Sequence, residues 1–188
     1  MQFIHFYETK GEEKLFQKTK PTIFSEGDVI EIVIDKEDKG QELLGFGGSF
    51  TDSSAYLIQD VLSETDRDEV MNLLFNPDDG IGLSVIRNPM GASDYARTIY
   101  SYQDSKDESF SIEHDKAAII PLTKQAVALN PETTVMASPW SAPGWMKSSG
   151  TMNGGKLLEE HYAAYATYFV NYVNNATSKL WKLWKYTS

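Results

Sequence analysis

Three times along this chain a short apolar run gives way to a polar loop and then to an apolar stripe at helical spacing. The strand-like runs are residues 43–50, 82–87 and 133–137. Helical patterns follow over residues 54–61, from Ser63 to the Asn76-Pro77 stop, over residues 121–129, and after Leu158. Strand, loop and helix in that repeated order imply parallel strands with right-handed crossovers. Two architectures satisfy the pattern, a (β/α) barrel and an open doubly wound sheet. Each gathers the loops that follow strand C-termini on one ligand-facing side, which places Arg87, Asp94, Tyr95 and Trp140 around one mouth.

Local signals set the element ends. Thr51-Asp52-Ser53 supplies cap residues, with Asp52 read first as a helix cap. Ser63 and Asp66 resemble a capping box ahead of the stripe Val70, Met71, Leu74 and Phe75. Pro121 fits the first turn of the third helix, and Asn130-Pro131 ends it. Leu158, Tyr162, Tyr165, Phe169 and Val173 mark the face of the last helix. Residues 88–109 form a polar loop of a length that is usually functional or disordered, and Tyr95, Tyr100 and Tyr102 argue for order. Ahead of all this, residues 29–34 alternate apolar and acidic side chains and read as a strand with one wet face.

Charge and composition exclude several functions. The net charge of -10 repels phosphate backbones and anionic lipid, so neither nucleic acid nor stable membrane insertion is expected. With no cysteine there are no disulfides, thiolate metal sites or cysteine nucleophiles. His5, His114 and His161 are dispersed and no His-Glu-x-x-His occurs, so no metal site is expected. No G-x-S-x-G elbow is present for a serine triad, no complete dinucleotide fingerprint follows Gly45, and no phosphate loop supports a nucleotide-binding domain. Asp107 and Glu108 read as a solvated pair. The first residues lack a basic leader and an apolar core, so a cytoplasmic location is expected and the sequon at Asn175 is expected to stay unused.

The stretch V-M-A-S-P-W-S-A-P-G-W-M, residues 135–146, delivers a stiff aromatic platform from a strand into a loop. An aromatic face suits the apolar face of a sugar ring. Together with GFGGSFTDSSAYL (45–57), SVIRNPMGASDY (84–95) and IIPLTKQAVALNP (119–131), the segment ASPWSAPGWMK (137–147) resembles glycoside hydrolase family 30 in its glucosylceramidase-like branch. The four motifs occur in order between Gln41 and Val173.

The resemblance implies an α/β fold, a partial (β/α)8 TIM barrel of about the first three β/α units over residues 41–174. Residues 1–40 would carry N-terminal strands of a β-sandwich. It implies no cofactor and a β-glucoside or related glycoside as partner. It also implies a retaining mechanism, in which one glutamate protonates the glycosidic oxygen and a second attacks the anomeric carbon. In the family these lie after the fourth and seventh barrel strands, the first within Asn-Glu-Pro. This sequence contains no Asn-Glu-Pro and its last acidic residue is Glu160, so no catalytic residue is assigned and the chain is expected to be inactive alone.

Three sugar contacts carry over. Asp94 matches an aspartate that accepts hydrogen bonds from glycone hydroxyls, Trp140 a tryptophan lining the glycone pocket, and Tyr95 a pocket wall where relatives often carry phenylalanine. Arg87 matches a supporting arginine beneath the catalytic carboxylates, and without them it is expected to be a buried cation lacking a partner. Trp145 reads as packing.

After Asn174 the pattern departs into a basic tail, residues 175–188, read as a shifted or prematurely ended frame. Its lysines among Leu180, Trp181, Leu183 and Trp184 also allow an amphipathic membrane-surface peptide. A non-catalytic sugar-binding or interaction fragment is the alternative function. An incomplete barrel would leave an open strand edge and is expected to self-associate.

Overall fold

The computed structural model describes residues 7–10, 13–18, 33 and 35–180. The chain divides into two compact units, Met1–Glu42 and Leu43–Ser188. In the first, β1 (Tyr7–Lys10) and β2 (Glu13–Lys18) pair antiparallel, with Tyr7 opposite Lys18 and Lys10 opposite Glu13. The strand read over residues 29–34 lies outside the described residues apart from Val33, which is exposed and in no strand. The end of the basic tail, residues 181–188, is likewise outside them.

The second unit holds a parallel sheet in the order β3 (Gly47–Ser49), β4 (Val85–Met90), β5 (Thr134–Pro139). Between β3 and β4 run α1 (Asp52–Tyr56), a wider π-type turn over Leu57–Val61, and α2 (Glu64–Phe75). Between β4 and β5 lies α3 (Ile119–Leu129), and after β5 comes α4 (Tyr162–Leu180). Gly47 is required where β3 meets β4, because a Cβ there would fall on the Val85 carbonyl.

β4 runs to Met90 rather than stopping at Arg87, and residues 88–90 belong to the ladder with Ala137, Ser138 and Pro139. Asn88-Pro89 reads as a loop signal, but the Asn88 side chain is buried and its Nδ2 donates to Thr123 Oγ1 of α3 at 3.0 Å. That bond satisfies the amide nitrogen inside the strand, while Asn88 Oδ1 is buried without a hydrogen-bond partner. α1 likewise begins two residues earlier than expected. Its cap is Thr51, whose hydroxyl accepts from the Ser54 N–H while Ser54 Oγ accepts from the Thr51 N–H. Asp52 is therefore not the cap. α2 begins as its sequence indicates, with Ser63 Oγ accepting from the Asp66 N–H. α3 starts at Ile119, which puts Pro121 where its missing N–H costs nothing.

Side-chain alternation gives the sheet two different faces. On the helix side, Ile86 packs with Phe50, Met71, Phe75, Leu122 and Ala126. Leu122 is fully buried, a burial that stabilises by roughly 1.5–3 kcal/mol. The opposite face carries Arg87, Met136, Ser138 and, just past β5, Trp140; Met136 and Trp140 are about half exposed.

A second cluster forms where α4 meets the segment after β4. Tyr102 stacks between Tyr168 and Tyr172 of α4, with centroids 5.8 and 5.4 Å away. Ala176 joins the buried side, while Tyr162 and Val173 are exposed. The buried face of α4 is thus rotated from the expected stripe toward Tyr168, Tyr172 and Ala176. The helix is aromatic over a wide arc, so periodicity alone left its orientation open, and the rings of Tyr102 and Phe110 chose it.

Candidate active site fragment

β4 and β5 are parallel with Met90 opposite Pro139, so both chains leave the sheet at the same end. Trp140 is the first residue beyond β5, and the turn at Asp94-Tyr95 follows β4 by four residues. Gly91 makes the exit from β4 in the left-handed region, φ +79°. The Ala92 N–H then donates to the Tyr100 carbonyl at 2.9 Å and closes the turn at its base.

The structure brings Arg87 and Trp140 together. Arg87 Nη2 donates to Ser138 Oγ at 3.1 Å, and the guanidinium carbon lies 4.8 Å from the centre of the Trp140 ring. Arg87 is only half-buried, and the indole and a hydroxyl serve as its partners, in place of the buried unpartnered cation expected from its sequence. It occupies one face of the indole, and Trp140 remains 48% exposed. Asp94 is exposed and Tyr95 is 66% exposed on their turn, where Ser93 Oγ accepts from the Tyr95 N–H at 3.2 Å.

The loop beyond Trp140 is pinned by Lys147, whose Nζ donates to Ser141 Oγ at 2.9 Å and to the Met152 carbonyl at 2.7 Å. Trp145 ties this loop to the preceding one, donating from Nε1 to the Gln103 carbonyl at 2.9 Å and meeting His161 edge to face. It borders a cavity of about 630 Å³ with Gln103, Lys106, Glu160, His161 and Asn171; Arg87, Asp94, Tyr95 and Trp140 do not line it.

A polar network behind the Asp94 turn escaped the sequence reading. Asp52 is 5% exposed and paired with Arg97; Asp115 is 2% exposed and accepts from the hydroxyls of Tyr100 at 3.2 Å and Tyr102 at 2.6 Å. His114 stacks flat on Tyr100, with Nε2 3.7 Å from Asp52 and Nδ1 3.7 Å from Asp115. Burial alone would raise the Asp52 carboxyl, but the hydrogen bonds and charge of Arg97, aided by His114, hold its pKa below the usual carboxylate value. Burial, then the Asp115 carboxylate, pushes the Tyr100 and Tyr102 hydroxyls well above the ordinary tyrosine range. The only sequence hint was the crowding of tyrosines with Asp115, since Asp52 and Arg97 are too far apart in the chain to be paired by pattern.

A parallel three-stranded sheet with its helices on one side, and a tryptophan and an acidic turn at its C-terminal end, is the opening of a (β/α) barrel. Residues 43–188 match the glycosyl hydrolase family 30 TIM-barrel domain. The chain belongs to glycoside hydrolase family 30. It is 33% identical over 129 residues to the lysosomal acid glucosylceramidase of Mus musculus, a match covering 65% of this chain and 25% of that protein. SrfJ from Salmonella typhimurium superimposes with a TM-score of 0.70 at 35% identity, over 74% of this chain and 32% of that one. An endo-β1,6-glucanase superimposes with a TM-score of 0.69 at 31% identity, over 77% and 34%. The chain spans about a quarter of the length of the curated relatives it matches. The family 30 chain is thus a glycosidase-type fragment whose three parallel strands form part of a TIM barrel. Among the described residues, no helix is long and apolar enough to cross a membrane, and no group of acidic and histidine side chains is arranged to hold a metal ion.

Proposed function

We propose that this chain supplies the glycone-contacting wall of a retaining, glucosylceramidase-like β-glycosidase, acting on a β-glucoside or a related glycoside. The observation that carries the reading is the pairing of Arg87 with the half-exposed indole of Trp140, at the strand end that also bears the Asp94 turn. Trp140 offers its free surface to the apolar face of the sugar, and the Asp94 carboxylate accepts hydrogen bonds from glycone hydroxyls, which a charged acceptor strengthens. Tyr95 walls the same turn. Arg87 fixes the indole from one side and places a positive charge beneath the position where carboxylates would work.

The carboxyl pair of a retaining glycosidase stands about 5–5.5 Å apart, one member as acid and the other as nucleophile. These 188 residues hold no Asn-Glu-Pro, and we assign neither role to any of their acids. In this reading the β1–β2 pair belongs to a β-sandwich, supported by its antiparallel pairing. Incubating the purified chain with an aryl β-glucoside tests the proposal. No release of the aryl group is expected; clear turnover that disappears when a carboxylate of this chain is removed would show the acid or nucleophile to lie within it.

A further inference from the structure

The Asp94-Tyr95 turn is exposed, yet it is fastened to α1 from behind. Both oxygens of the buried Asp52 are taken by Arg97, three residues after Asp94: the Arg97 backbone N–H donates to Oδ2 at 2.7 Å, Nε to Oδ2 at 3.1 Å, and Nη2 to Oδ1 at 3.2 Å. The next residue of α1 adds a fourth bond, with the Ser53 N–H donating to the Tyr95 carbonyl at 3.1 Å. The Arg97 guanidinium lies 4.0 Å from the centre of the Tyr56 ring, so one arginine is gripped by two residues of the same short helix. On the far side, His114 Nε2 stands 3.7 Å from Asp52 Oδ1.

This arrangement is built to hold backbone. A carboxylate that served only as an ion-pair partner would need the guanidinium alone, but Asp52 also fixes the main-chain N–H of Arg97. The turn is thereby held at two points, by the Ala92–Tyr100 pairing at its base and by Asp52 at its outer limb. Arg97 itself is largely open to water, with 43% of its side chain exposed, so the charge pair by itself adds little to global stability. Its effect is concentrated on the residues it tethers. Asp94 lies between the two tethers.

We propose that Asp52 is a positioning residue for glycoside binding, setting the Asp94-Tyr95 turn through Arg97 without touching the sugar. The proposal rests on the reading of Asp94 and Trp140 as sugar contacts. Preorganisation of this kind matters because a carboxylate displaced by about 1 Å no longer meets the hydroxyls it should accept from.

The test uses the full chain with methyl β-D-glucoside as probe, read by backbone and indole NMR signals of Asp94, Tyr95 and Trp140, together with amide hydrogen exchange. Asp52→Asn keeps the shape of the side chain and removes its charge. It is expected to speed exchange of the amides from Ser93 to Arg97 about tenfold or more and to weaken glucoside binding by a similar factor, as the loss of bonds to a charged group implies. Amides of Met71 and Leu122 in the helix-side core should change far less. Arg97→Ala should reproduce both effects, and it decides by the same two measurements where Asp52→Asn fails to fold. Unchanged exchange in the turn, or a loosened turn with undiminished binding, overturns the positioning role alone. A wild-type chain whose Asp94 and Trp140 signals ignore the glucoside overturns the site reading and this proposal with it.

Discussion

The two faces of the β3–β5 sheet are made by the same strands and have opposite character. Toward the helices, Ile86, Leu122, Ala126 and Met71 are sealed, and the one polar strand residue, Asn88, is bonded to Thr123. Toward the other side, Met136 and Trp140 keep about half of their surface and Arg87 is partly open. The difference teaches that the core and the Arg87–Trp140 pairing are carried by alternate residues of one strand. Ile86 builds the core while Arg87, its neighbour, holds the indole.

That contrast breaks first under substitution. Leu122→Ala on the helix side is expected to cost about 2–5 kcal/mol, whereas Met136→Ala on the open face should cost under about 1 kcal/mol. Urea denaturation of the two variants measures the gap, and equal losses would mean that the inner face is packed as tightly as the core.

The aromatic cluster beneath the Asp94 turn belongs to the sealed side and should fail in alkali. The hydroxyls of Tyr100, Tyr102, Tyr168 and Tyr172 are all pushed up, chiefly by burial. A raised folded pKa gives stability that is complete below the unfolded value and lost above it, so unfolding should steepen once the pH passes about 10. Asp52 has the opposite sign: its lowered pKa contributes above the ordinary carboxylate value and is lost as the pH falls through the folded one. Tyrosinate absorbance and circular dichroism followed together across the pH range check both limbs. Smooth titration of all tyrosines near pH 10 without unfolding would contradict the alkaline half.

The open face should also associate. β3 and β5 each pair only with β4 among the described residues, and Phe46, Met136 and Trp140 are exposed nearby. Light scattering is expected to show self-association that Met136→Lys reduces, while a monodisperse wild-type chain would remove this expectation. The smallest effect on stability should come from Trp140→Ala, about 1 kcal/mol or less from losing the Arg87 stacking. Its effect on glucoside binding should be far larger, and equal binding by the variant would remove Trp140 from the site.

Much of this arrangement was legible in the chain. The strand-loop-helix order, the capping pair at Ser63, and the family motifs around Arg87, Asp94 and Trp140 are local signals, carried by residues a few positions apart. Less legible was which side of α4 would be buried, because Tyr165, Tyr168, Phe169 and Tyr172 offer several apolar faces. The reach of β4 to Met90 was hidden for a related reason, since only a distant threonine makes Asn88 acceptable inside a strand.

Amino-acid order by itself determined the parallel β/α plan and the family. Tertiary structure alone decided that Asp52 is an anchor for Arg97 and not a cap, that His114 stands between two buried carboxylates, and that Arg87 finds a partner in Trp140. The physical reason is range. Periodicity and capping act within a turn or two of chain, whereas an ion pair across 45 positions exists only once the fold has brought its partners within reach.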